Sequence, residues 1–388
     1  MIERDTTGSY DPRSPAVLRD PSTAYLLLLH DVPVCLVDSF DPPFYVLSRY
    51  ADVEAALRDI TTFSSEFGQG PRFTPPAGLL SDPPQHTFFR DLVQQAFTPK
   101  AIEALRPRIT AIANELIESR DNTTVWDLHD SFAFPLPVIV IAERLGIPAA
   151  DRHLFKRWSD AAVAAMGAED PTMHQVPLRE MAQYLLRQIA ERRAGGGSGD
   201  LIAQLAHARQ GGVGLRDGEI LGVVTQLLVG GNETTTSLIT NAVWRLLEDP
   251  SRYERLRAEP TLIDKALEES LRFDPPVLAL YRTTTRAVDL HGVTIPANTK
   301  VMLHYAAANR DPDVFDQPNA FSLDRPPRRH LAFGLGTHFC LGAQLARLEA
   351  SVALRTLIER HPELRLVDAG ERIAPFFLWG RRHLRVRG

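Results

Sequence analysis

The spacing of apolar residues along the chain predicts a mainly helical protein with a small β-rich portion. The longest helical pattern covers Asp217–Glu248 and would form a helix of roughly 45–50 Å at about 1.5 Å per residue. Its in-phase apolar positions are Ile220, Val224, Leu227, Leu238, Ala242 and Leu246. Short runs of β-type residues occur at Val34–Val37, Phe44–Leu47, 288–295, 300–304 and between 364 and 386.

The middle of this long helix is composed of poor helix formers. Residues 230–236 read Gly-Gly-Asn-Glu-Thr-Thr-Thr; each glycine costs about 1 kcal/mol relative to alanine, and threonine is stiff. One interpretation is a loop that joins two shorter helices. The apolar pattern keeps its phase across the break, which favours a single helix with a functional distortion. Small residues there would make room for a ligand, and a hydroxyl would bond the preceding turn.

Cys340 stands at the end of a glycine-rich run that precedes another helical pattern. After it, apolar residues recur at helical spacing, at Leu341, Leu345, Leu348, Val352, Leu354, Leu357 and Ile358. We therefore expect a helix to begin at or just after Cys340, with its N–H groups facing the sulfur and lowering the thiol pKa. Gly334, Gly336 and Gly342 would let the backbone turn tightly and approach a flat ligand. The pattern favours a thiolate metal ligand; a buried, inert cysteine beside an ordinary turn is the alternative.

Two other segments place charged or donor groups one helical turn apart. Glu269 and Arg272 lie in a predicted helix that ends before a proline pair, and alone they are typical of a weak surface ion pair. His86 and Arg90 follow Pro83-Pro84 and would share one helix face. A histidine in such a place is usually a satisfied surface or core residue.

The composition is that of a soluble globular protein with a large core. Of 388 residues, 44% are hydrophobic and 23% charged. The net charge of −5 does not suggest the basic surface that nucleic-acid-binding proteins use. Two cysteines provide no disulfide framework, which indicates a reducing cytoplasm. The longest candidate membrane segment, residues 24–29, is far shorter than the roughly 20 residues that span a bilayer. We expect a cytoplasmic protein with no membrane partner.

Nothing in the sequence suggests internal repeats or a second domain. Glycine-rich runs at residues 194–199 and 211–214 are predicted linkers between helices, too short to separate domains. The prediction is one domain over residues 1–388, with a flexible start of about residues 1–20.

The run from Phe333 to Gly342, Phe-Gly-Leu-Gly-Thr-His-Phe-Cys-Leu-Gly, resembles the haem-binding loop of the cytochrome P-450 family, the haem-thiolate monooxygenases. The resemblance covers the chain from about residue 44 to the C-terminus and looks like that of a soluble bacterial member. It implies the P-450 fold, with haem between the long central helix and the helix that follows the cysteine loop. It also implies haem b (iron protoporphyrin IX) as cofactor, Cys340 as its axial metal ligand, and Phe333, Gly334 and Gly342 as loop residues around it. A thiolate ligand donates electron density that favours O–O cleavage.

Other motifs match the family residue by residue. Glu269 and Arg272 match its Glu-x-x-Arg helix, which implies that they support the haem loop and take no part in catalysis. Imidazole and guanidinium groups suit carboxylates. Four side chains would hold the two haem propionates: His86, Arg90, Arg282 (on a probable strand) and His338.

The centre of the long helix resembles the family's oxygen-binding pattern, Ala/Gly-Gly-x-Glu/Asp-Thr. Gly230 and Gly231 would leave space for dioxygen, and Glu233 and Thr234 would be the acid–alcohol pair that relays protons to it. This chain has Gly230 where the family more often has alanine, and Glu233 where it more often has aspartate. Neither departure removes the chemistry.

The implied activity is hydroxylation, or another oxidation, of a hydrophobic small organic molecule. No flavin or iron–sulfur motif is fused to the chain, so electrons would come from separate proteins, which the resemblance implies are a ferredoxin and its reductase. Arg325, Arg328 and Arg329, ahead of the haem loop, would form either a docking face or a solvated charge run.

Candidate walls of the substrate pocket are mostly apolar and lie at residues 63–80, 277–280 and 375–377, for which ordinary core is the alternative. Two other functions stay open. One is a peroxide-driven haem peroxygenase, against which the Glu233–Thr234 pair argues; the other is a non-catalytic haem-binding sensor.

Overall fold

The computed structural model describes residues 10–75, 78–120, 124–168, 170–195, 199–210 and 212–388. The helices are α1 (Pro15–Arg19), α2 (Tyr50–Arg58), α3 (Gln85–Gln94), α4 (Pro99–Glu103), α5 (Arg106–Glu118), α6 (Pro135–Leu145), α7 (Arg152–Gly167), α8 (Gln175–Arg193), α9 (Leu201–His207), α10 (Asp217–Glu248), α11 (Pro250–Ala258), α12 (Ile263–Phe273), α13 (Tyr305–Ala308) and α14 (Ala343–Arg360). The strands are β1 (Val34–Val37), β2 (Phe44–Leu47), β3 (Phe63–Ser64), β4 (Val125–Asp127), β5 (Arg209–Gln210), β6 (Val213–Gly214), β7 (Leu280–Thr284), β8 (Val288–Leu290), β9 (Val293–Ile295), β10 (Lys300–Leu303), β11 (Arg365–Asp368) and β12 (Arg385–Arg387). Within these described ranges, no helix has both the length and the apolar character needed to cross a membrane.

Helix α10 runs through the middle of the helical part. It is continuous over Asp217–Glu248, as its apolar phase predicts, so the interpretation of two helices joined by a loop is wrong. Helices α6, α7, α8, α12 and α14 contact it. Its N-terminal half packs into one core through Val223 and Val224, and its C-terminal half packs into another through Ile239 and Val243. The glycine pair of residues 230 and 231 therefore lies where the two cores meet.

The five-stranded sheet has the order β1–β2–β10–β7–β3, in which β2 and β10 are parallel and the other pairs are antiparallel. In its centre Val301 lies opposite Arg282, and Lys300 lies opposite Thr283. Because side chains alternate along a strand, Arg282 and Lys300 face opposite sides of this sheet. The Lys300 side carries Phe44, Tyr281 and Met302, and the Arg282 side carries Leu47, Val301 and Leu303.

Each predicted β segment contains a strand. Residues 34–37 and 44–47 coincide with β1 and β2, residues 300–304 contain β10, and the C-terminal segment contains β11 and the start of β12. Residues 288–295 form the β8–β9 hairpin, whose turn places His291 and Gly292 at φ of 50° and 78°. Of the predicted linkers, residues 196–198 and 211 lie outside the described residues, and residues 213–214 pair with β5.

The structure describes residues 10–20 of the predicted flexible start, and these pack against the body of the protein. Tyr10 is buried, and its hydroxyl lies 3.4 Å from His304 Nε2. Helix α1 is capped by Ser14, whose Oγ accepts a hydrogen bond from the Val17 N–H. Residues 1–9 lie outside the described residues.

Glu269 and Arg272 form a buried ion pair, in contrast to the surface pair that their spacing alone suggests. Each side chain is 3% exposed, and two guanidinium nitrogens of Arg272 donate to the two carboxylate oxygens of Glu269 at 2.8 Å. Arg272 also donates to three carbonyl oxygens, those of Asn309, Pro318 and Ala320. Glu269 accepts from the Ser322 N–H and from Arg325. The pair therefore fixes the irregular segment that leads from α13 to the cysteine loop.

Removing the Arg272 guanidinium should destabilise the fold strongly. Arg272→Met would leave the Asn309 and Pro318 carbonyls without this donor, while the Ala320 carbonyl would keep Arg325 as a donor and Glu269 would keep Arg325 as its cation. We expect the free energy of unfolding to fall by about 3–5 kcal/mol. Urea unfolding followed by tryptophan fluorescence measures it.

Arg255→Met is the matched control for this substitution. Arg255 bonds Asp324 in a pair whose side chains are 43% and 68% exposed, and such pairs contribute less than about 1 kcal/mol. Equal losses in the two variants would contradict the role given to Arg272.

Candidate functional site

The cysteine loop is a tight turn that presses against α2. Gly334 and Gly336 have φ of 66° and 70°, a region that favours glycine, and a Cβ on Gly336 would lie 2.9 Å from the Leu57 carbonyl oxygen. The Cys340 N–H donates to the Phe333 carbonyl at 2.9 Å and closes the turn. Gly342 has φ of −83° with open space around a Cβ, so the backbone does not require glycine there.

The Cys340 sulfur lies at the start of α14, as predicted, but the direction of its pKa is opposite to the prediction. Helix α14 begins at Ala343, and the N–H groups of Gly342 and Ala343 bond the sulfur. Burial nevertheless raises the pKa of the Cys340 thiol and outweighs these amides and the nearby Arg90. The residue is solvent-accessible although protein surrounds it, which places it in the wall of an internal chamber. A coordinated metal cation would hold this sulfur as a thiolate.

The two predicted imidazoles meet beside the cysteine loop. The rings of His86 and His338 are in edge contact, with centroids 4.5 Å apart. His86 Nδ1 and His338 Nε2 are buried, and neither has a hydrogen-bond partner among the described residues. Burial lowers the pKa of His86 to about 4, and a carboxylate placed beside the ring would raise it again.

Arg282 is a buried cation on β7 and is 2% exposed. Its guanidinium donates to its neighbour's carbonyl, Tyr281 O, at 2.8 Å and bonds the Tyr305 hydroxyl. Within the part of the chain that is described, no carboxylate oxygen lies within 4.0 Å of it, the distance that defines an ion pair. A buried guanidinium without an anion is costly, and a ligand carboxylate would relieve that cost.

Arg90 and Asp82 complete this group. Arg90 donates to the carbonyls of Phe339 at 2.8 Å and Thr337 at 3.4 Å, so it lies on the cysteine loop. Asp82 lies 3.6 Å from His338 Nε2. Burial raises the pKa of Asp82, but contacts with His338, Ser64 and Ser65 lower it by more, so the net shift is downward. The unsatisfied donors beside Cys340 fit the two carboxylates of a flat, metal-bearing group.

The glycine pair at the centre of α10 borders open space. Gly230 is exposed in the middle of this central helix, and a Cβ on either glycine would meet nothing within 4 Å. Thr234 Oγ1 donates to the Gly230 carbonyl at 2.6 Å, the bond to the preceding turn that the sequence predicts.

Glu233 points away from the chamber. It is 6% exposed, burial raises its pKa, and its Oε1 has no hydrogen-bond partner among the described residues. Neighbouring Asn232 donates to Ser159 Oγ of α7 at 2.9 Å. Glu233 and Thr234 are thus adjacent in the helix and share no hydrogen bond in the described structure.

Some contributors to the site are absent from the prediction. Asp82 sits in the motif that predicts His86 and Arg90, where it looks like a helix-start residue. Tyr305 has no motif at all. Asn232 occupies the variable position of the oxygen-binding pattern, so only its contact with Ser159 reveals it.

The predicted basic face and pocket walls are corrected in part. The Arg325 side chain is 12% exposed and bonds Glu269, so the prediction that it belongs to a docking face is wrong. Arg328 and Arg329 are exposed. Among the predicted walls, Leu278, Ala279, Phe376 and Phe377 are buried core. Phe67 and Phe73 of the 63–80 segment are exposed, and residues 76–77 lie outside the described residues.

Comparison with known proteins places this chain in one family. The family model described as Cytochrome P450 matches residues 172–364. Vitamin D(3) 25-hydroxylase of Pseudonocardia autotrophica is 38% identical over 372 residues, which cover 93% of this chain and 92% of the relative. Erythromycin C-12 hydroxylase of Saccharopolyspora erythraea is 40% identical over 351 residues, or 87% of each chain. The crystal structure of CYP109E1 from Bacillus megaterium in complex with testosterone superposes with a TM-score of 0.88 at 36% identity, covering 96% of this chain and 98% of that one.

A methyl group at Gly336 should destabilise the loop. Gly336→Ala combines a left-handed φ with a contact of 2.9 Å to the Leu57 carbonyl, and we expect a loss of about 1–3 kcal/mol in the free energy of unfolding. Gly342→Ala is the control, because its φ is ordinary and its Cβ would meet no atom within 4 Å. Thermal unfolding of both variants measures the difference; a lower midpoint for Gly342→Ala would refute the assignment.

Proposed function

Because the chain belongs to the cytochrome P450 family of monooxygenases, we propose that it binds haem b through Cys340 and oxidises a bulky hydrophobic molecule with dioxygen. The observation that carries this proposal is the group of unsatisfied donors beside Cys340. His86 Nδ1 and His338 Nε2 have no hydrogen-bond partner among the described residues, and the buried Arg282 guanidinium has no carboxylate oxygen of those residues within ion-pair distance, although the Asp82 charge acts on it from further away.

Each residue of the site then has a defined task toward the cofactor. Cys340 would supply the thiolate ligand of the iron, held in place by the closed turn of the cysteine loop. His86, His338, Arg282 and Arg90 would hold the propionates, with Arg90 also bonded to the loop carbonyls. When bound, the haem iron supplies the activation of dioxygen.

The chain's own part in the chemistry is to hold and move protons. Thr234 carries a proton on Oγ1 at the wall of the chamber, next to the space that Gly230 and Gly231 leave open. Burial raises the pKa of Glu233, so its carboxyl keeps its proton to a higher pH than an exposed glutamate and can donate it. A side-chain rotation would bring that proton from the buried side of α10 toward Thr234.

The size of the substrate is inferred from relatives. The two hydroxylases and the complex reported above carry the names of vitamin D(3), erythromycin and testosterone. All three are bulky molecules built on large carbon ring systems, although erythromycin carries many oxygen atoms. We propose a bulky, ring-containing organic substrate.

The electron donor is proposed to be a separate ferredoxin-type protein. Arg328 and Arg329 are exposed just ahead of the cysteine loop. Exposed cations attract an acidic partner and speed its association at low salt. The proposed docking face therefore rests on these two arginines without Arg325.

Reduced protein under carbon monoxide should show the strongly red-shifted Soret band of thiolate-ligated haem. Cys340→Ala should abolish this band, because no other thiol of the sequence lies at the chamber. Cys35→Ala is the control, since Cys35 is buried in β1, and it should retain the band. Absence of the band in the unmodified protein would refute the proposed cofactor site.

Thr234→Ala should uncouple electron use from product formation. With ferredoxin, its reductase, NADPH and testosterone, we expect at least about tenfold more electrons to end in hydrogen peroxide per product formed, because a positioned proton relay is lost. Dioxygen uptake and peroxide release measure the coupling.

Thr240→Ala removes a comparable bond to the preceding turn, at a buried part of α10, and should keep the coupling. Turnover with hydrogen peroxide alone that equals the ferredoxin-supported rate would favour a peroxygenase over the proposed monooxygenase. Unchanged coupling in Thr234→Ala would exclude the proposed relay.

A further inference from the structure

Arg347 lies on α14, about two turns after Cys340, and contacts the cysteine loop. Its guanidinium carbon lies 4.5 Å from the centroid of the Phe333 ring, a cation–π contact. Phe333 begins the loop, and its carbonyl accepts the Cys340 N–H at 2.9 Å. The cation therefore rests on the residue to which the cysteine backbone is bonded.

A bidentate ion pair with Glu268 of α12 fixes this guanidinium. Arg347 Nε donates to Glu268 Oε1 at 2.6 Å, and Nη2 donates to Oε2 at 3.0 Å. Two parallel bonds of this kind set the orientation of the guanidinium as well as its distance. The Arg347 side chain is 30% exposed, so the pair lies at the edge of the protein beside the loop.

His330 is a further partner of Glu268. Its Nε2 lies 3.1 Å from Glu268 Oε2, and its Nδ1 accepts the Ala332 N–H at 3.3 Å. Because Nδ1 is an acceptor, the neutral ring carries its proton on Nε2 and donates it to the carboxylate. This contact orients Glu268 without adding a charge.

The charges of this group act at the Cys340 sulfur. Burial is the largest influence on the pKa of the Cys340 thiol and raises it, whereas Arg90 and Arg347 act in the opposite direction. Burial raises the pKa of Glu268 as well, but His330 and Arg347 lower it by more, to about 2, so this carboxylate is ionised at neutral pH. The sulfur thus lies near a cation that touches its loop and an anion that touches the cation.

We propose that Arg347 is a positioning residue for electron uptake: held on Phe333 by Glu268, it raises the reduction potential of the iron that Cys340 would bind, and the Glu268 charge limits that rise. The inference rests on the proposed haem site and deepens it. Reduction by one electron, from the proposed ferredoxin-type donor, adds one negative charge at the iron. A nearby cation stabilises that charge and a nearby anion destabilises it.

The two members of the pair should therefore have opposite effects, which a merely structural role would not produce. A cysteine loop that is loosened by loss of the pair would change the potential in the same direction whichever partner is replaced. Glu268→Gln is the informative change, because the amide keeps an oxygen that accepts from Arg347 and loses the charge.

Equilibrium of the haem-loaded protein with a reference redox dye measures the potential without an electron-transfer partner. In Arg347→Met, the equilibrium constant for one-electron reduction should fall at least about threefold, because the cation is lost. In Glu268→Gln it should rise at least about threefold. Arg347→Lys keeps the charge but not the two parallel bonds, so its constant should lie between those of Arg347→Met and the unmodified protein.

Arg360→Met is the matched control. Arg360 lies near the other end of α14, roughly 20 Å along the helix at about 1.5 Å per residue, and it also pairs with a carboxylate, that of Glu118. Its substitution should leave the reduction constant unchanged. Shifts of Arg347→Met and Glu268→Gln in the same direction, or no shift in either, would overturn the proposal. If Arg347→Met does not load haem, Glu268→Gln decides alone, and a constant that falls or stays the same would overturn it.

The carbon monoxide band separates this inference from the proposed function. If the unmodified protein lacks the band, the cofactor assignment fails. If the unmodified protein and both variants show the band and their reduction constants are equal, the role of Arg347 alone fails.

Discussion

The buried Glu269–Arg272 pair is the interaction on which the proximal half of the molecule depends. The segment of residues 309–335, which is fully described, forms neither helix nor strand, yet it delivers the cysteine loop to its place. Backbone carbonyls in such a segment need donors when they are buried. Arg272 supplies them at three positions, and Glu269 holds the other end through Ser322 and Arg325. A buried ion pair of this kind specifies one conformation more than it adds net stability.

Around this frame, the site is recognisable by polar groups that the protein leaves unsatisfied. Buried donors and acceptors normally find partners, so exceptions ask for an explanation. His86 Nδ1, His338 Nε2 and Glu233 Oε1 are such exceptions. Arg282 adds a buried charge that no carboxylate of the described residues contacts directly, with Asp82 acting on it from further away. These groups lie on α3, α10, β7 and the loop before α14. The site therefore depends on the fold as a whole, because no single local motif contains all of them.

Much of this could be predicted from sequence where the signal is local. The limits of α10 follow from a pattern of apolar residues that keeps its phase across the weak centre, and the turn at Gly334 and Gly336 follows from the need for positive φ. The burial of an individual side chain depends on tertiary packing, which a local sequence pattern does not predict. For that reason Arg325 looked like a surface charge and Phe377 like a pocket wall, whereas both belong to the interior contacts of the fold. The prediction that the pKa of the Cys340 thiol is lowered is wrong for the same reason. Burial of the thiol raises its pKa by more than the helix amides lower it.

Strand β10 carries two sets of side chains with different surroundings. Lys300 and its neighbour Val301 point to opposite sides of one sheet, and Val301 lies on the side that bears Arg282. A point substitution at Lys300 therefore leaves the side chains of the Arg282 side in place. Insertion or deletion of a single residue in β10 would exchange the two sides, because the side-chain period of a strand is two.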